Sequence, residues 1–347
     1  MSEINYADYL GLDKILASQH PESARHGVDA HDEMLFIVIH QAYELWFKQI
    51  LHELDSVIAL LQKGRVDDGA GEMGIIVRRL KRTVEIWKLL IHQIDILETM
   101  TSQDFLEFRN LLTPASGFQS VQFKIIEAKL GLRMEERHGG TYYKRSGAGG
   151  LAVPELAELA AAEAHDTLKS LIVQWLERMP FLVREYWQEN SPRRFWADYR
   201  RRFLASLGPH EDARARRAEF SQLFVTVGSG TFTPAAMRAA LFIMLYRDYP
   251  MFQFPFQTLT TLLDLDEHIS IWRYRHLMMV SRLIGLRVGT GGINRAGQNH
   301  EGYLEGALKR HRIFSELSDL ATYLIERRNL PPIPVSVIKE LGFFSTI

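Results

Sequence analysis

Two histidines stand on long apolar stretches of the sequence, where an imidazole could ligate a metal or accept a hydrogen bond. His40 lies within residues 32–63, four residues after Phe36, so both side chains share one helix face. His276 lies on a second long stretch, four residues after Trp272. An imidazole facing a packed aromatic space is a candidate group for a cofactor or substrate site. By spacing alone, two hydrogen-bonded core histidines remain the favoured interpretation.

Several familiar catalytic motifs do not occur in the sequence. Di-iron carboxylate bundles need two Glu-x-x-His pairs on facing helices, and this chain has one, Glu135 to His138, in a glycine-rich stretch typical of a loop. The zinc motif HExxH, the nucleophile elbow GxSxG and the P-loop are all missing. GTGG at 289–292 follows a predicted helix, not a strand, and suits close backbone approach to a ligand. A haem pocket remains as a hypothesis for the two histidines, because histidine can be a proximal ligand or a distal residue.

Composition sets the broad class of the protein. The chain has 347 residues, 46% of them apolar and 24% charged, an ordinary balance for a globular protein with a large core. The net charge of −1, with no single-sign block, argues against nucleic acid as a partner. The absence of cysteine excludes disulfides and thiolate metal sites. With no secretory signal pattern and no apolar run of about 18 residues, a cytoplasmic protein outside the membrane is expected.

The spacing of apolar residues predicts an all-α protein. Strand patterns are nearly absent, and helical periodicity runs through most of the chain. Thr101 with Asp104 predicts a capping box, and Thr233 before a proline predicts another helix N-terminus. The whole chain, 1–347, is expected to form one large helical domain, with a small helical subdomain inserted at about 180–230.

The predicted helices follow one another closely along the chain. A further long helix is expected after an aromatic break at 252–256, with Asp264 or Asp266 near its start. The glycine-rich, charged stretch at 135–153 is expected to be a surface loop. The other main helices are predicted at 32–63, 71–100, 101–112, 118–130, 154–178, 303–310 and 314–327.

Four segments of the chain carry long and specific motifs. They are YADYLGLDKIL (6–16), HDEMLFIVIHQAYELWFKQILHELDS (31–56), FRNLLTPASGFQSVQF (108–123) and WRYRHLMMVSRLIGLRVGTGG (272–292). Together with FQFPFQTL and DLATYLIERR, they resemble the tryptophan 2,3-dioxygenase family in order along nearly the whole chain. The resemblance implies a mostly helical homotetramer that binds haem b. It also implies opening of the indole ring of L-tryptophan by O2 to give N-formyl-L-kynurenine, the first step of tryptophan degradation by the kynurenine route.

The resemblance implies roles for residues around the haem. His276, in WRYRH, matches the axial ligand of the haem iron. His40, in FIVIHQ, matches the distal histidine that hydrogen-bonds the indole N–H, and Phe36 matches the aromatic wall of the indole pocket. Ser116 and Gly117 match residues that line the distal side of the haem. The protein would orient substrate and exclude water while the cofactor carries the oxygen chemistry.

The resemblance also implies how the amino acid is held. Arg109, in EFRNLL, matches the arginine that pairs with the substrate carboxylate, and its planar fork suits bidentate binding. Thr290, in GTGG, matches a threonine that contacts the substrate ammonium and carboxylate. Phe105 stands where some members have a carboxylate-binding tyrosine and others a phenylalanine. The residues that match an N-terminal arm completing the pocket of a neighbouring subunit are Tyr6, Tyr9 and Leu10.

One departure from the family concerns the loop that closes over the substrate. Where the family continues GTGG with Ser-Ser-Gly, this chain has Ile293, Asn294 and Arg295. The change favours a second hypothesis, a haem monooxygenase or hydroxylase of the same superfamily that acts on another aromatic amino acid. A third hypothesis is a helical haem-binding protein without turnover.

Overall fold

The computed structural model describes residues 4–64, 71–132, 134, 150–179, 187, 191–209, 212–225, 232–285, 312–335 and 337–338. All regular structure in these ranges is helical, which confirms the all-α prediction. No helix in the same ranges combines the length and the apolar character that crossing a membrane requires. The α-helices are α1 Tyr6–Leu10, α2 Leu12–Ile15, α3 Glu22–Arg25, α4 Glu33–Gln62, α5 Gly71–Leu97, α6 Ser102–Arg109, α7 Val121–Leu130, α8 Val153–Glu163, α9 Leu168–Glu177, α10 Pro192–Ser206, α11 Ala213–Val225, α12 Pro234–Leu245, α13 Gln253–Ile284 and α14 Ser315–Asp319.

Three long helices, α4, α5 and α13, form the frame of the molecule. Helix α5 packs along both α4 and α13, and α4 confirms the long central helix predicted at 32–63. Apolar residues three or four positions apart put one continuous face of each helix into the core. The side chains completely removed from solvent include Ile50, Leu54, Leu80, Trp87 and Leu90. Each such burial contributes roughly 1.5–3 kcal/mol to folding.

The helix N-termini predicted from hydroxyl residues are present. The Thr101 hydroxyl accepts a hydrogen bond from the Asp104 N–H at 3.2 Å, and the Asp104 carboxylate accepts the Thr101 N–H at 3.1 Å. Thr233 accepts the Ala236 N–H in the same manner at the start of α12. These local contacts satisfy donors that a helix start leaves without an intrahelical acceptor. The Thr101 and Asp104 pair and the Thr233-Pro234 pair thus mark helix starts, as predicted.

The single helix predicted at 154–178 is wrong. The structure has α8 and α9 instead, separated by residues 164–167. Thr167 and Ser170 exchange side-chain to backbone hydrogen bonds of 3.1 and 3.0 Å, which start α9 anew. Polar residues at the break bind nearby backbone groups and so compete with helix continuation.

The helix predicted at 314–327 is also wrong in its extent. Helix α14 ends at Asp319, and 3₁₀ turns follow at Leu320–Tyr323 and Arg327–Asn329. The helix predicted from 118 begins at Val121, with Ser120 as its N-cap. The helix predicted at 303–310 lies outside the described residues, as do residues 135–149 of the loop predicted at 135–153. The described end of that loop is irregular up to Val153, where α8 begins.

Helix α13 starts earlier than predicted, and this changes the role of an aspartate. Residues 252–256 do not form a break before the helix, because α13 begins at Gln253. Pro255 lies in its first turn, where a missing N–H costs nothing. Asp266 therefore lies in mid-helix and is 2% exposed. Its carboxylate accepts the backbone N–H groups of Ile313 and Phe314 at 2.7 and 2.8 Å. Burial raises the pKa of Asp266, and these two hydrogen bonds act in the opposite direction.

We expect Asp266→Asn to lower the free energy of unfolding by about 1–3 kcal/mol. The amide offers one acceptor oxygen, so its NH2 group would face one of the two N–H donors from Ile313 and Phe314. Denaturant unfolding followed by circular dichroism measures the change. Asp264→Asn is the matched control, because Asp264 is exposed on the same helix. Equal stability of both variants would contradict the anchoring role of Asp266.

Helices α10, α11 and α12 meet through aromatic side chains. Phe195 on α10 lies 5.5 Å from Phe242 on α12 between ring centroids, and Phe203 lies 5.4 Å from Phe220 on α11. The Tyr199 hydroxyl donates to the carbonyl of Tyr323. These side chains belong to the same buried cluster as the core of α4, α5 and α13. The separate subdomain at about 180–230 stays a prediction.

Candidate active site

His40 is held in one tautomer by the helix that carries it. Its Nδ1 lies 2.7 Å from the carbonyl oxygen of Phe36, one turn earlier on α4. A carbonyl can only accept, so Nδ1 carries the hydrogen and Nε2 of the neutral ring keeps its lone pair. Burial lowers the pKa of His40 below its usual 6.5, while the Phe36 hydrogen bond and the Glu44 charge oppose the shift. At neutral pH the side chain therefore presents an acceptor at Nε2.

An aromatic wall stands beside this imidazole. The Phe36 ring lies 4.1 Å from the His40 ring between centroids, and 5.6 Å from each of Phe105 and Phe108 on α6. Phe105 and Phe108 themselves meet edge to face at 5.4 Å. Helix α6 is thus packed against the start of α4 by its phenylalanines. The arrangement gives flat apolar surfaces next to a single hydrogen-bond acceptor.

Arg109 lies at the last position of α6, four residues after Phe105 and so on the same face of the helix. The residue is 8% exposed. A guanidinium keeps its charge in all protein environments, and a buried charge must be compensated by hydrogen bonds or an anion. Arg109 therefore places a buried positive charge at the end of the helix that carries Phe105 and Phe108.

His276 is connected to His40 through two aromatic side chains. The imidazole of His276 stacks on Trp272 with 5.1 Å between centroids and 16° between planes. Tyr43 lies 6.0 Å from Trp272 and 6.4 Å from His40. The Tyr43 hydroxyl donates to the Leu90 carbonyl on α5 at 2.9 Å, and burial raises the pKa of Tyr43 to about 12. The sequence did not single out Tyr43 and Trp272 as the link between the two histidines.

Other candidate residues lie in the segment between α6 and α7 or outside the described residues. The Ser116 N–H donates to the Gln119 side chain at 3.0 Å, and Gly117 opens a 3₁₀ turn. A Cβ added to Gly117 would meet no atom within 4 Å. Thr290, together with Ile293, Asn294 and Arg295, lies outside the described residues.

The N-terminal tyrosines are exposed to solvent in the single chain. Tyr6 and Tyr9 on α1 are 75% and 76% exposed, and Leu10 is exposed as well. Further along, the N-terminal segment runs beside α4, where the Gln41 side chain donates to the Ser18 carbonyl at 3.1 Å. An open groove of about 410 Å³ between this segment, α4 and α7 reaches His40 from the surface.

A buried ion pair missed by the sequence reasoning lies near His276. Arg273 donates to the Glu127 carboxylate at 2.8 Å, and both side chains are 5% exposed. Lys124 lies 3.6 Å from the other carboxylate oxygen of Glu127. The sequence feature that could have indicated a buried charge cluster is Lys124 with Glu127. These opposite charges lie three residues apart on a helix that is otherwise apolar on that face.

Among the residues that the structure describes, no three His, Cys, Asp or Glu side chains are grouped closely enough to hold a metal ion. The helical fold and the family comparison define an all-α oxidoreductase of the dioxygenase class. The chain belongs to the tryptophan 2,3-dioxygenase family, whose model matches residues 1–219 and 212–324.

Individual relatives agree with this assignment along most of their length. The chain is 41% identical to tryptophan 2,3-dioxygenase of Alteromonas mediterranea, with 98% of this chain and 97% of the relative covered. It is 40% identical to the enzyme of that name from Bdellovibrio bacteriovorus, with 98% of each covered. The relative from Dictyostelium discoideum is 39% identical, with 98% of this chain and 88% of the relative covered.

Proposed function

We propose that the protein opens the indole ring of L-tryptophan with O2 in a haem-dependent reaction that gives N-formyl-L-kynurenine. The observation that carries the proposal is the Nε2 acceptor of His40 beside the Phe36 wall, in a chain that matches this family over residues 1–324. An indole needs flat apolar contacts and one acceptor for its N–H. The site offers both.

The residues present fit a haem better than a bare metal ion. A porphyrin supplies four ligands to its iron, so one imidazole is enough from the protein. We assign that role to His276, whose ring stacks on Trp272. Ser116 and Gly117 would line the distal side, and the open space at Gly117 is compatible with a bulky neighbour. Haem b, when bound, supplies the activation of O2.

The chain's own residues would bind and orient the amino acid. Arg109 would bind the carboxylate through its fork, and Thr290 would contact the ammonium and carboxylate. Phe36 and Phe105 would hold the indole in place, and His40 would accept the indole N–H at Nε2. A zwitterion entering an apolar site must have both charges satisfied. These contacts would fix the indole C2–C3 bond in one orientation and exclude water from it.

We also propose a cytoplasmic homotetramer in which N-terminal arms are exchanged. Tyr6, Tyr9 and Leu10 would close the pocket of a neighbouring subunit, and their exposure in the single chain supports this arrangement. Exposed apolar side chains grouped on one short segment usually meet a partner surface. Light scattering is expected to give the mass of four chains, and a stable monomer with full activity would contradict the exchange.

The direct test of function follows the product. Haem-loaded protein is reduced without oxygen, tryptophan and air are added, and N-formylkynurenine is measured by its near-ultraviolet absorbance. Mass spectrometry with labelled O2 is expected to show two oxygen atoms in the product. A single oxygen atom would indicate a hydroxylase instead. Absence of product from haem-loaded protein would overturn the proposal.

The protonation of His40 sets an expected pH dependence. Because burial lowers the pKa of His40 from 6.5, the imidazole stays neutral at pH 7 and loses its acceptor only in more acidic solution. We expect kcat/KM to be level near neutral pH and to decline only below pH 6.5. The same profile measured on His40→Ala should lack this acidic decline. An acidic limb centred above pH 6.5 in the unmodified protein would contradict the assignment.

A further inference from the structure

Trp272 lies at the centre of an aromatic cluster that joins four helices. Its own helix, α13, also carries His276, one turn further on. The ring contacts of Trp272 are with Tyr43 at 6.0 Å, Phe47 at 6.4 Å, Trp87 at 5.8 Å, Phe123 at 5.2 Å and His276 at 5.1 Å. We propose that Trp272 is a positioning residue that fixes the plane of the His276 imidazole. The inference rests on the proposed role of His276 as axial ligand.

The stack on Trp272 restricts rotation of the His276 imidazole, and this rotation sets the plane of the ring. Residues four apart on a helix lie over one another, so the indole covers one face of the imidazole. The 16° angle between the planes makes this contact nearly parallel, unlike the edge contacts of Trp272 with Tyr43 and Phe47 at 72° and 84°. Turning the His276 ring about its Cβ–Cγ bond would break the stack. Trp272 therefore selects one ring plane.

Trp272 can hold another side chain because it is itself held. Tyr43 and Phe47 from α4, Trp87 from α5 and Phe123 from α7 border its indole. Packed interiors leave little freedom for such a ring to move. Four rings from three other helices thus hold the Trp272 indole, and removal of Trp87 alone leaves the contacts with Tyr43, Phe47 and Phe123 in place.

The ion pair beside Trp272 anchors the same turn of α13. Arg273 follows Trp272 directly and donates to Glu127 on α7 at 2.8 Å. Phe123, four residues before Glu127 on α7, contacts Trp272. Helix α7 therefore holds this turn at two neighbouring points, one apolar and one charged. Breaking a buried pair by removing one partner is strongly destabilising, which resists sliding of α13 along α7.

Orientation of a metal-ligating histidine is usually controlled by a neighbour that does not touch the metal. Such neighbours most often accept a hydrogen bond from the second ring nitrogen, and losing one costs on the order of 10–100-fold in metal affinity. Here the stack on Trp272 supplies an orienting contact of a different kind, on the face of the ring. The position of the tryptophan four residues before the histidine is the sequence feature that encodes it.

The test compares variants that remove the flat ring at two places in the cluster. Trp272→Leu and Trp272→Met remove the stack with different residual volumes, and Trp272→Phe keeps a smaller ring over His276. Trp87→Leu is the matched control, because Trp87 contacts Trp272 and is fully buried, yet has no ring contact with His276 among the described contacts. All are prepared as haem-loaded protein. The readouts are the iron–histidine stretching band of the ferrous protein and the rate of haem transfer to an excess of an acceptor protein.

We expect Trp272→Leu and Trp272→Met to shift or broaden the band and to speed haem loss on the order of 10-fold. Trp272→Phe should restore most of the native band, and Trp87→Leu should leave the band unchanged even if it lowers stability. Should Trp272→Leu not fold, the comparison stands on the methionine and phenylalanine variants. The native band in Trp272→Met, or the same shift in Trp87→Leu, would overturn the inference.

The results expected if the proposed axial role of His276 is wrong differ from those expected if only the role of Trp272 is wrong. If His276→Ala kept haem with the native band, the axial role of His276 itself would be wrong. If His276→Ala lost haem while the Trp272 variants behaved like Trp87→Leu, only the positioning role of Trp272 would be wrong. The two outcomes therefore separate the ligand from the residue that orients it.

Discussion

His276→Ala is expected to yield folded protein that does not retain haem and makes no N-formylkynurenine. His276 is the single protein ligand assigned to the iron, and its ring stacks on Trp272. Losing a first ligand should cost more than the roughly 10–100-fold penalty of losing an outer-shell partner. The measurement is Soret absorbance per chain after haem loading and gel filtration, with circular dichroism to verify the helical fold.

A histidine elsewhere on α13 provides the control for this experiment. His268 lies two turns before His276, and its Nδ1 is 2.7 Å from the Asp264 carbonyl, so it shares the helix but not the aromatic cluster. His268→Ala should keep native haem content. Added imidazole should partly restore the Soret band of His276→Ala by occupying the vacated position. Equal haem content in the two alanine variants would rule out His276 as the axial ligand.

The parts of the fold that the sequence predicted correctly depend on contacts between near neighbours. The long helix α4 follows from apolar spacing, and the start of α6 follows from Thr101 and Asp104, which satisfy each other within one turn. The role of Asp266 depends on distant partners. Asp266 binds Ile313 and Phe314, about 47 residues away, and no local pattern reports that contact.

The same distinction between local and long-range contacts applies to the candidate site. The Phe36 and His40 contact is local, because four residues along a helix bring the rings to 4.1 Å. The meeting of Phe36 with Phe105 depends on how α6 packs on α4, and helical periodicity holds no information on that packing. The link from His40 through Tyr43 to Trp272 likewise joins two helices far apart in sequence. Spacing identified the chemistry of single residues, and only the family resemblance suggested which of them act together.

The second large effect is expected at Arg109. Arg109→Ala should raise KM for L-tryptophan by roughly 10–100-fold, with a smaller change in kcat, because hydrogen bonds to a charged group are worth about 1.5–3 kcal/mol. The KM of Arg109→Lys should fall between those of the unmodified protein and Arg109→Ala, since an ammonium keeps the charge but cannot bind a carboxylate through two parallel N–H donors. Steady-state kinetics at saturating O2, normalised to haem content, measures both variants.

Tryptamine separates loss of carboxylate binding from general damage to the site. It keeps the indole and the ammonium but has no carboxylate, so its binding should change little between the unmodified protein and Arg109→Ala. Because Arg109 is buried at the end of α6, directly after Phe108 in the aromatic wall, its removal could instead disturb that wall. Damage of this kind would weaken tryptophan and tryptamine equally. A penalty confined to tryptophan is the result expected if the guanidinium binds the carboxylate, and an equal penalty for both ligands would refute that role.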